Sequence, residues 1–139
     1  MRSLDPHTLK VLEFDRVLAL VQARAPSSLG KRALDEAAPS SHREEVLTRQ
    51  RETAEMRLLR EEQSDPNWAG SQDIGEELES LQAEHSWIEP RRLLRVAEFA
   101  EAADRIREAV CGGAEGASEI AGIARTIPRF TELVRSIRR

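Results

Sequence analysis

Residues 90–110, PRRLLRVAEFAEAADRIREAV, carry the most regular apolar pattern in the chain. The apolar side chains recur at alternating intervals of three and four residues. This spacing keeps one edge of an α-helix against a neighbouring helix. They are Val96, Phe99, Ala103, Ile106 and Val110. At about 1.5 Å per residue, the segment predicts a rod roughly 30 Å long. We expect a partner helix along this seam, either elsewhere in this chain or on a second copy.

A second long helix is predicted to start after Ser40 and to end near Glu62. Its start has a capping-box order, in which a serine oxygen accepts an orphan backbone N–H and a glutamate reaches back. The residues in this order are Ser40, Ser41, Glu44 and Glu45. Few positions in the helix are apolar, so we expect one narrow edge to be buried. These positions are Val46, Leu47, Ala54, Met56, Leu58 and Leu59.

Shorter helices are predicted before these rods. The first follows Asp5 and Pro6, an N-cap followed by proline at the first helical position, with a break expected near residues 13–15. Its apolar stripe consists of Leu9, Leu12, Val17, Leu18 and Val21. Another short helix is expected over residues 27–36.

Further short helices are predicted over residues 73–82 and 118–124 and after Pro128. In the first of these, the apolar residues expected to face inward are Ile74, Leu78 and Leu81. The last carries Phe130, Leu133, Val134 and Ile137. A loop is expected over residues 63–71, and a glycine group formed by Gly112, Gly113 and Gly116 ends the long helix. The pattern predicts an all-α bundle of roughly six helices that includes two long rods.

The composition is that of one globular domain. The chain has 139 residues, of which 40% are hydrophobic and 33% are charged, and this length suits a single core. Aromatic residues are scarce and no long apolar run occurs, which disfavours base-stacking surfaces and membrane spans. Residues 1–5 lack the apolar core of a signal peptide, so we expect a cytoplasmic location. The single cysteine, Cys111, is expected to be a buried or half-buried, inert thiol.

The net charge of −4 is unevenly distributed. Residues 61–90 contain acidic residues and no Lys or Arg, so this segment repels a phosphate backbone. The end of the chain is basic, and its candidate nucleic-acid contacts are Arg129, Arg135, Arg138 and Arg139. A basic last turn also complements the helix dipole, and both interpretations stay open at this stage.

Motifs for catalysis are missing from the sequence. The glycine-rich residues 111–118 lack the lysine that a phosphate-binding loop requires, and Glu115 adds a repelling charge. The histidines His7, His42 and His85 lie in separate segments without a metal-ligand pattern. Glu76, Glu77 and Glu79 are typical of a solvated helix face. We therefore predict no catalytic, cofactor-binding or metal-binding residues in this chain.

Several short motifs follow one another between residues 8 and 110. They are 8–15 (TLKVLEFD), 28–31 (SLGK), 39–40 (PS), 53–55 (TAE), 58–59 (LL), Gly70 ahead of 73–74 (DI), and Pro90 with 93–94 (LL). In this order they resemble the start of the second bacterial MutS-like family, the endonuclease-type MutS paralogues that lack the mismatch-reading domain. Residues 111–139 match only in helical character, and residues 86–88 (SWI) depart from the family pattern.

The resemblance implies the N-terminal part of a helical core and lever region. Full-length members carry a dimerising ABC-type ATPase, which uses ATP and Mg, and a C-terminal Smr nuclease domain. They are associated with clamping on branched DNA and with suppression of homologous recombination, and some resemble factors that split collided ribosomes. None of their ATP-binding or nuclease motifs falls in these residues, so only structural positions carry over. These are Leu12, Phe14, Leu29, Gly30, Asp73 and Ile74.

The resemblance also sets expectations for individual positions. Leu12 and Phe14 are expected in the core, Gly30 at a close approach of two helices, and Asp73 as a helix cap. Three hypotheses for the chain follow. The first is a non-catalytic helical lever of a larger MutS-like protein, and the second is an autonomous homodimerising module that pairs through the Val96–Val110 seam. The third is direct nucleic-acid binding through the terminal arginines, although we expect weak or no DNA affinity for this chain alone.

Overall fold

The computed structural model describes residues 6–62, 66–82, 87–113 and 118–139. Within these ranges the chain forms eight α-helices and no strand, which confirms the all-α fold class. The helices are α1 (Pro6–Val11), α2 (Phe14–Gln22), α3 (Ser28–Asp35), α4 (Arg43–Glu61), α5 (Gly75–Gln82), α6 (Pro90–Gly112), α7 (Ser118–Arg125) and α8 (Thr131–Ile137). The count exceeds the roughly six of the predicted bundle, because all seven segments expected from the sequence are helical and the first is divided into α1 and α2 at Glu13. The expectations for Asp5, His85 and Gly116 lie outside the described residues.

The longer rod, α6, is the helix against which three of the others pack. Helices α5, α7 and α8 pack against it, and α4 packs against α7. The main core cluster joins Leu59 of α4 to Val110 of α6 and to Ile120 and Ala124 of α7. Leu59 is the one buried residue of α4 and Met56 packs beside it, whereas Leu47, Ala54 and Leu58 are exposed, so the buried edge is narrower than predicted.

The buried face of α6 is wider than the seam seen in the sequence. Besides Val96 and Val110 it includes three alanines, Ala97, Ala100 and Ala102. Small side chains let another part of the backbone approach the helix closely. Gly70, which has a left-handed φ of 87°, makes this approach to α6. A Cβ atom at Gly70 would lie 3.0 Å from the carbonyl oxygen of Glu98. The loop that precedes α5 is therefore packed along α6.

Carboxylates from neighbouring helices cap the starts of the two C-terminal helices. A side-chain oxygen of Glu55 on α4 accepts the backbone N–H of Ile120 at 2.9 Å. The Asp104 carboxylate on α6 accepts the N–H of Phe130 at 3.1 and 3.2 Å. Because such caps satisfy orphan N–H groups and complement the helix dipole, they also join the helices. Helix α8 accordingly begins at Thr131 rather than directly after Pro128.

Serine side chains organise the starts of α3 and α4. The N–H of Gly30 donates to Ser27 Oγ at 3.0 Å, so Gly30 makes room for a cap and the expected interhelical approach is wrong. Before α4, the Ser40 hydroxyl accepts from the His42 N–H at 3.1 Å and also hydrogen-bonds Glu45. The hydrogen bond from Ser40, with the nearby Arg49 charge, lowers the pKa of Glu45. The predicted serine–glutamate pairing is present between Ser40, which lies ahead of α4, and Glu45 in its first turn, but the N-cap residue of the helix is His42.

Three expectations about burial are wrong. Leu78 and Leu81 of α5 are exposed. Instead, Glu77 faces inward and is buried, as is Ile74 just before the helix. Leu12 is exposed because the predicted N-terminal helix breaks at Glu13, which has a left-handed φ of 50°. Cys111 is exposed as well, because it lies on α6 beside Val110 but off the buried edge.

Gly113, which caps the end of α6, packs directly against the side chain of Leu59. A Cβ atom there would lie 1.8 Å from Leu59 Cδ1. We expect Gly113→Ala to destabilise the chain by about 1–3 kcal/mol, because Leu59 is fully buried and must shift. The measurement is urea unfolding followed by far-ultraviolet circular dichroism.

Gly122 provides the matched control, since it lies inside α7 and a Cβ there meets nothing within 4 Å. Gly122→Ala should stabilise the chain by about 0.5–1 kcal/mol, because alanine loses less backbone entropy in a helix. Equal effects of the two substitutions would contradict the packing described for Gly113.

Candidate docking surface

Helix α2 presents an apolar stripe to solvent. Val17, Leu20 and Val21 are 54%, 56% and 47% exposed, and no residue of α2 is buried. These three positions lie on one side of the helix because they are three and four residues apart. We call Val17, Leu20 and Val21 the α2 stripe.

The apolar surface continues towards the N-terminus. Val11 and Leu12 at the end of α1 are more than half exposed, and Phe14 at the start of α2 is half-buried. Contiguous exposed apolar residues on a helical face are typical of a surface that another protein element covers. The α2 stripe is therefore the candidate docking surface of this chain.

Asp73 joins the N-terminal helices to the bundle. Its N–H donates to Ser28 Oγ at 2.9 Å, and its carboxylate forms an ion pair with Arg32 of α3. The same carboxylate accepts the N–H of Gly75 at 3.0 Å, as expected of a cap for α5. Asp73 thus connects α3 to α5, while α2 packs against α1 and α3.

The candidate nucleic-acid contacts are largely engaged within the chain. Arg138 makes a bidentate pair with Glu101 of α6 at 2.7 and 2.9 Å, and this hydrogen bonding raises the pKa of Arg138. Arg135 pairs with Glu132 at 2.6 Å and Arg129 with Glu108 at 3.5 Å, while Arg139 is exposed. Glutamates therefore neutralise much of the positive charge that a phosphate backbone would meet.

The apolar seam of α6 lies partly inside the chain. Val96 and Val110 are buried, and Phe99, Ala103 and Ile106 are half-buried. Val110 and Ile106 contact the core cluster that includes Leu59 and Ile120. At this end of the seam the partner helices are therefore α4 and α7 of the same chain, and pairing with a second copy stays a prediction.

Sequence reasoning missed a buried charge at Glu77, which it assigned to a solvated face. The Glu77 side chain is 1% exposed, and its Oε1 lies 2.8 Å from Arg95 Nη1 and 3.7 Å from Arg92 Nε. The oxygen has no well-aligned hydrogen bond, so the contact with Arg95 is an ion pair of imperfect geometry. No local motif marks Glu77, because its partners lie on another helix.

No candidate metal site or membrane-spanning helix is found among the residues that the structure describes. Within 6–62, 66–82, 87–113 and 118–139, no group of three or more His, Cys, Asp or Glu side chains has an arrangement that could hold a metal ion. None of the helices in these ranges combines the length and apolar character needed to cross a bilayer.

Comparison with known proteins identifies relatives for nearly the whole chain. An Endonuclease MutS2 from Symbiobacterium thermophilum (strain DSM 24528 / JCM 14929 / IAM 14863 / T) is 28% identical over 135 residues, which is 97% of this chain. An Endonuclease MutS2 from Alkaliphilus oremlandii (strain OhILAs) is 28% identical over 104 residues, or 75% of this chain. The sequence is therefore similar to MutS2 proteins over most of its length. The resemblance to the second bacterial MutS-like family, inferred from the short motifs, is thereby confirmed.

The chain corresponds to a small part of these relatives. It spans 17% of the Symbiobacterium protein and 13% of the Alkaliphilus protein. No protein-family profile matches the chain, and no solved structure matches it significantly. The name Endonuclease MutS2 therefore describes proteins several times longer than the part that they share with this chain.

We expect Arg95→Ala to destabilise the chain by about 1–3 kcal/mol, because it leaves the buried Glu77 carboxylate without its nearest cation. Arg91→Ala is the control, since Arg91 lies on the same helix and is exposed. Urea unfolding of the two variants measures the difference. If Glu77→Gln in the Arg95→Ala background restored none of the lost stability, the ion pair would not be the cause.

We expect this chain alone to bind a DNA four-way junction weakly, and the binding to fall steeply between about 50 and 200 mM salt. Glu101→Gln should strengthen it, because Arg138 then loses the carboxylate that it pairs with. Fluorescence anisotropy of a labelled junction measures both effects, with the triple substitution of Arg135, Arg138 and Arg139 by Ala as the control. Tight binding that salt leaves unchanged would contradict contact through these arginines.

Proposed function

We propose that this chain is a non-catalytic helical segment of a MutS2-like ATPase and endonuclease, from the N-terminal part of its helical core. The similarity to MutS2 proteins over 97% of the chain carries this proposal. The exposed α2 stripe supports it, because a segment that packs into a larger core presents apolar side chains where the rest of that core would cover them.

The segment would act mechanically. Helices α4 and α6 contain 19 and 23 residues, which corresponds to rods of roughly 30 Å each. Their apolar contacts at Leu59 and Val110, together with α7, hold the two rods together. Close-packed cores transmit displacement instead of absorbing it, so movement at one end of this assembly would reach the other.

The chemistry would lie in other parts of the longer protein. ATP and Mg would bind the ATPase domain, and DNA strand cleavage would belong to the nuclease domain. Through the full-length protein, in the bacterial cytoplasm, the segment would contribute to clamping on branched DNA and to suppressing homologous recombination, or to acting on collided ribosomes. In each case its own task is to connect the moving parts.

A chimera tests this proposal. The 135-residue region of the Symbiobacterium MutS2 that matches this chain is replaced by the chain, and the product is compared with the parent protein. We expect the chimera to be soluble, to unfold cooperatively and to bind a four-way junction as the parent does. A chimera that aggregates, or that loses junction binding while its ATP hydrolysis persists, would overturn the proposal.

The α2 stripe supplies the matched variants. Val17→Glu with Leu20→Glu should lower the soluble yield and the Tm of the chimera, because charges would then be buried at the docking surface. In the 139-residue chain alone the same pair should change little, since both side chains are exposed. Ala19→Glu, at an exposed position on the opposite side of α2, should be neutral in both proteins. If the double variant and Ala19→Glu behave alike in the chimera, the stripe is not a docking surface.

A further inference from the structure

Helices α1, α2 and α3 form a unit of their own. Helix α2 packs against both α1 and α3, and Gln22 Nε2 on α2 donates a hydrogen bond to Asp35 Oδ1 on α3 at 2.7 Å. No residue of α2 or α3 is buried, and residues 7–11 of α1 are likewise exposed or half-buried. We call α1–α3 the N-terminal arm.

The other five helices form a second unit, which contains the apolar core. Helix α4 packs against α7, and α5, α7 and α8 pack against α6. Between the described parts of the two units, helix-to-helix packing is at most marginal. Residues 37–42, which are not helical, connect the arm to the start of α4. The arm is thus joined to the bundle by a short linker and by contacts outside the core.

These contacts surround Asp73, the residue that caps α5. The Ser28 hydroxyl, at the start of α3, accepts the N–H of Asp73 at 2.9 Å and donates to Gln72 Oε1 at 3.4 Å. Arg32, one turn further along α3, forms an ion pair with the Asp73 carboxylate. We call the contacts of Ser28 and Arg32 with residues 72–73 the Asp73 joint.

Asp73 is also attached to the bundle. Its carboxylate accepts the N–H of Gly75 at 3.0 Å, and Arg95 Nη2 of α6 lies 3.5 Å from its carbonyl oxygen. Within residues 6–62, 66–82, 87–113 and 118–139, no hydrogen bond or ion pair other than those of the Asp73 joint links the arm to α4–α8 or to the loop before α5. Asp73 therefore remains with the bundle when the contacts to α3 break.

The joint is accessible to water and salt. The side chains of Arg32 and Asp73 are 62% and 35% exposed, and such a pair contributes little to stability because solvent screens it. Parts of a protein that lack buried apolar contacts open before the core does. The hydrogen bond between Gln22 and Asp35 lies within the arm, so it persists when the joint breaks.

We propose that the N-terminal arm rotates about residues 37–42 between a closed position, in which the Asp73 joint is formed, and an open position, in which the joint is broken and the arm is still helical. Because the α2 stripe lies on this arm, opening changes the position of the docking surface relative to α4 and α6. The inference concerns the fold of the chain itself and goes beyond the proposed function.

Distances between paired spin labels test this movement in the 139-residue chain. Cys111 is exposed and is first replaced by Ser. Ala19→Cys on α2 with Ser136→Cys on α8 gives a pair that spans arm and bundle. Ala54→Cys on α4 with Ser136→Cys gives the matched pair within the bundle, and all three positions are exposed. Double electron–electron resonance measures the distance distribution of each pair.

We expect two distances for the pair at positions 19 and 136. Ser28→Ala combined with Arg32→Ala should raise the ratio of open to closed molecules about fivefold or more, because it removes a hydrogen bond and an exposed ion pair. Salt at about 0.5 M should raise the same ratio by screening the ion pair. Lys31→Ala, at the exposed neighbouring position on α3, is the control and should not change it.

Far-ultraviolet circular dichroism distinguishes rotation of the arm from unfolding. A second distance with an unchanged helical signal supports the proposal. A double variant that loses helical signal would show that the arm unfolds instead, and would overturn it. The proposal would also be overturned by a distribution at positions 19 and 136 that neither the double variant nor salt alters, or by an equal change at positions 54 and 136.

Discussion

The contact between Leu59 and the end of α6 is the packing constraint on which the rest of this structure depends. Leu59 is the one buried residue of α4, and it packs with Val110, Ile120 and Ala124. The close approach of Gly113 to its side chain leaves no room for a Cβ atom. Without this contact, little apolar surface would hold the two long helices together.

Polar contacts then fix the shorter helices against α6. Asp104 caps α8 through the N–H of Phe130, and Glu101 pairs with Arg138 at the other end of α8. The buried Glu77 carboxylate of α5 lies against Arg95. One rod therefore presents apolar, acidic and basic positions to three different helices. Such multiple attachment suits the mechanical role that we propose for the chain.

The exposed apolar stripe on α2 is the feature that the proposed function explains best. No residue of α2 is buried, and Val17, Leu20 and Val21 present apolar side chains to solvent. In a protein that functions alone, such a surface favours association. In the proposed segment of a longer protein, the same surface is the position where another helix would pack.

The order of apolar residues, prolines and serines was sufficient to predict the all-α class, the two long helices and the break near Glu13. These features depend on interactions between residues a few positions apart. Short motifs were likewise sufficient for the resemblance to MutS2 proteins. The caps from Glu55 and Asp104 join residues 65 and 26 positions apart, so no local pattern could predict them. Tertiary packing alone decided that Glu77 is buried and Leu78 exposed, since burial depends on which helix comes to lie opposite each face.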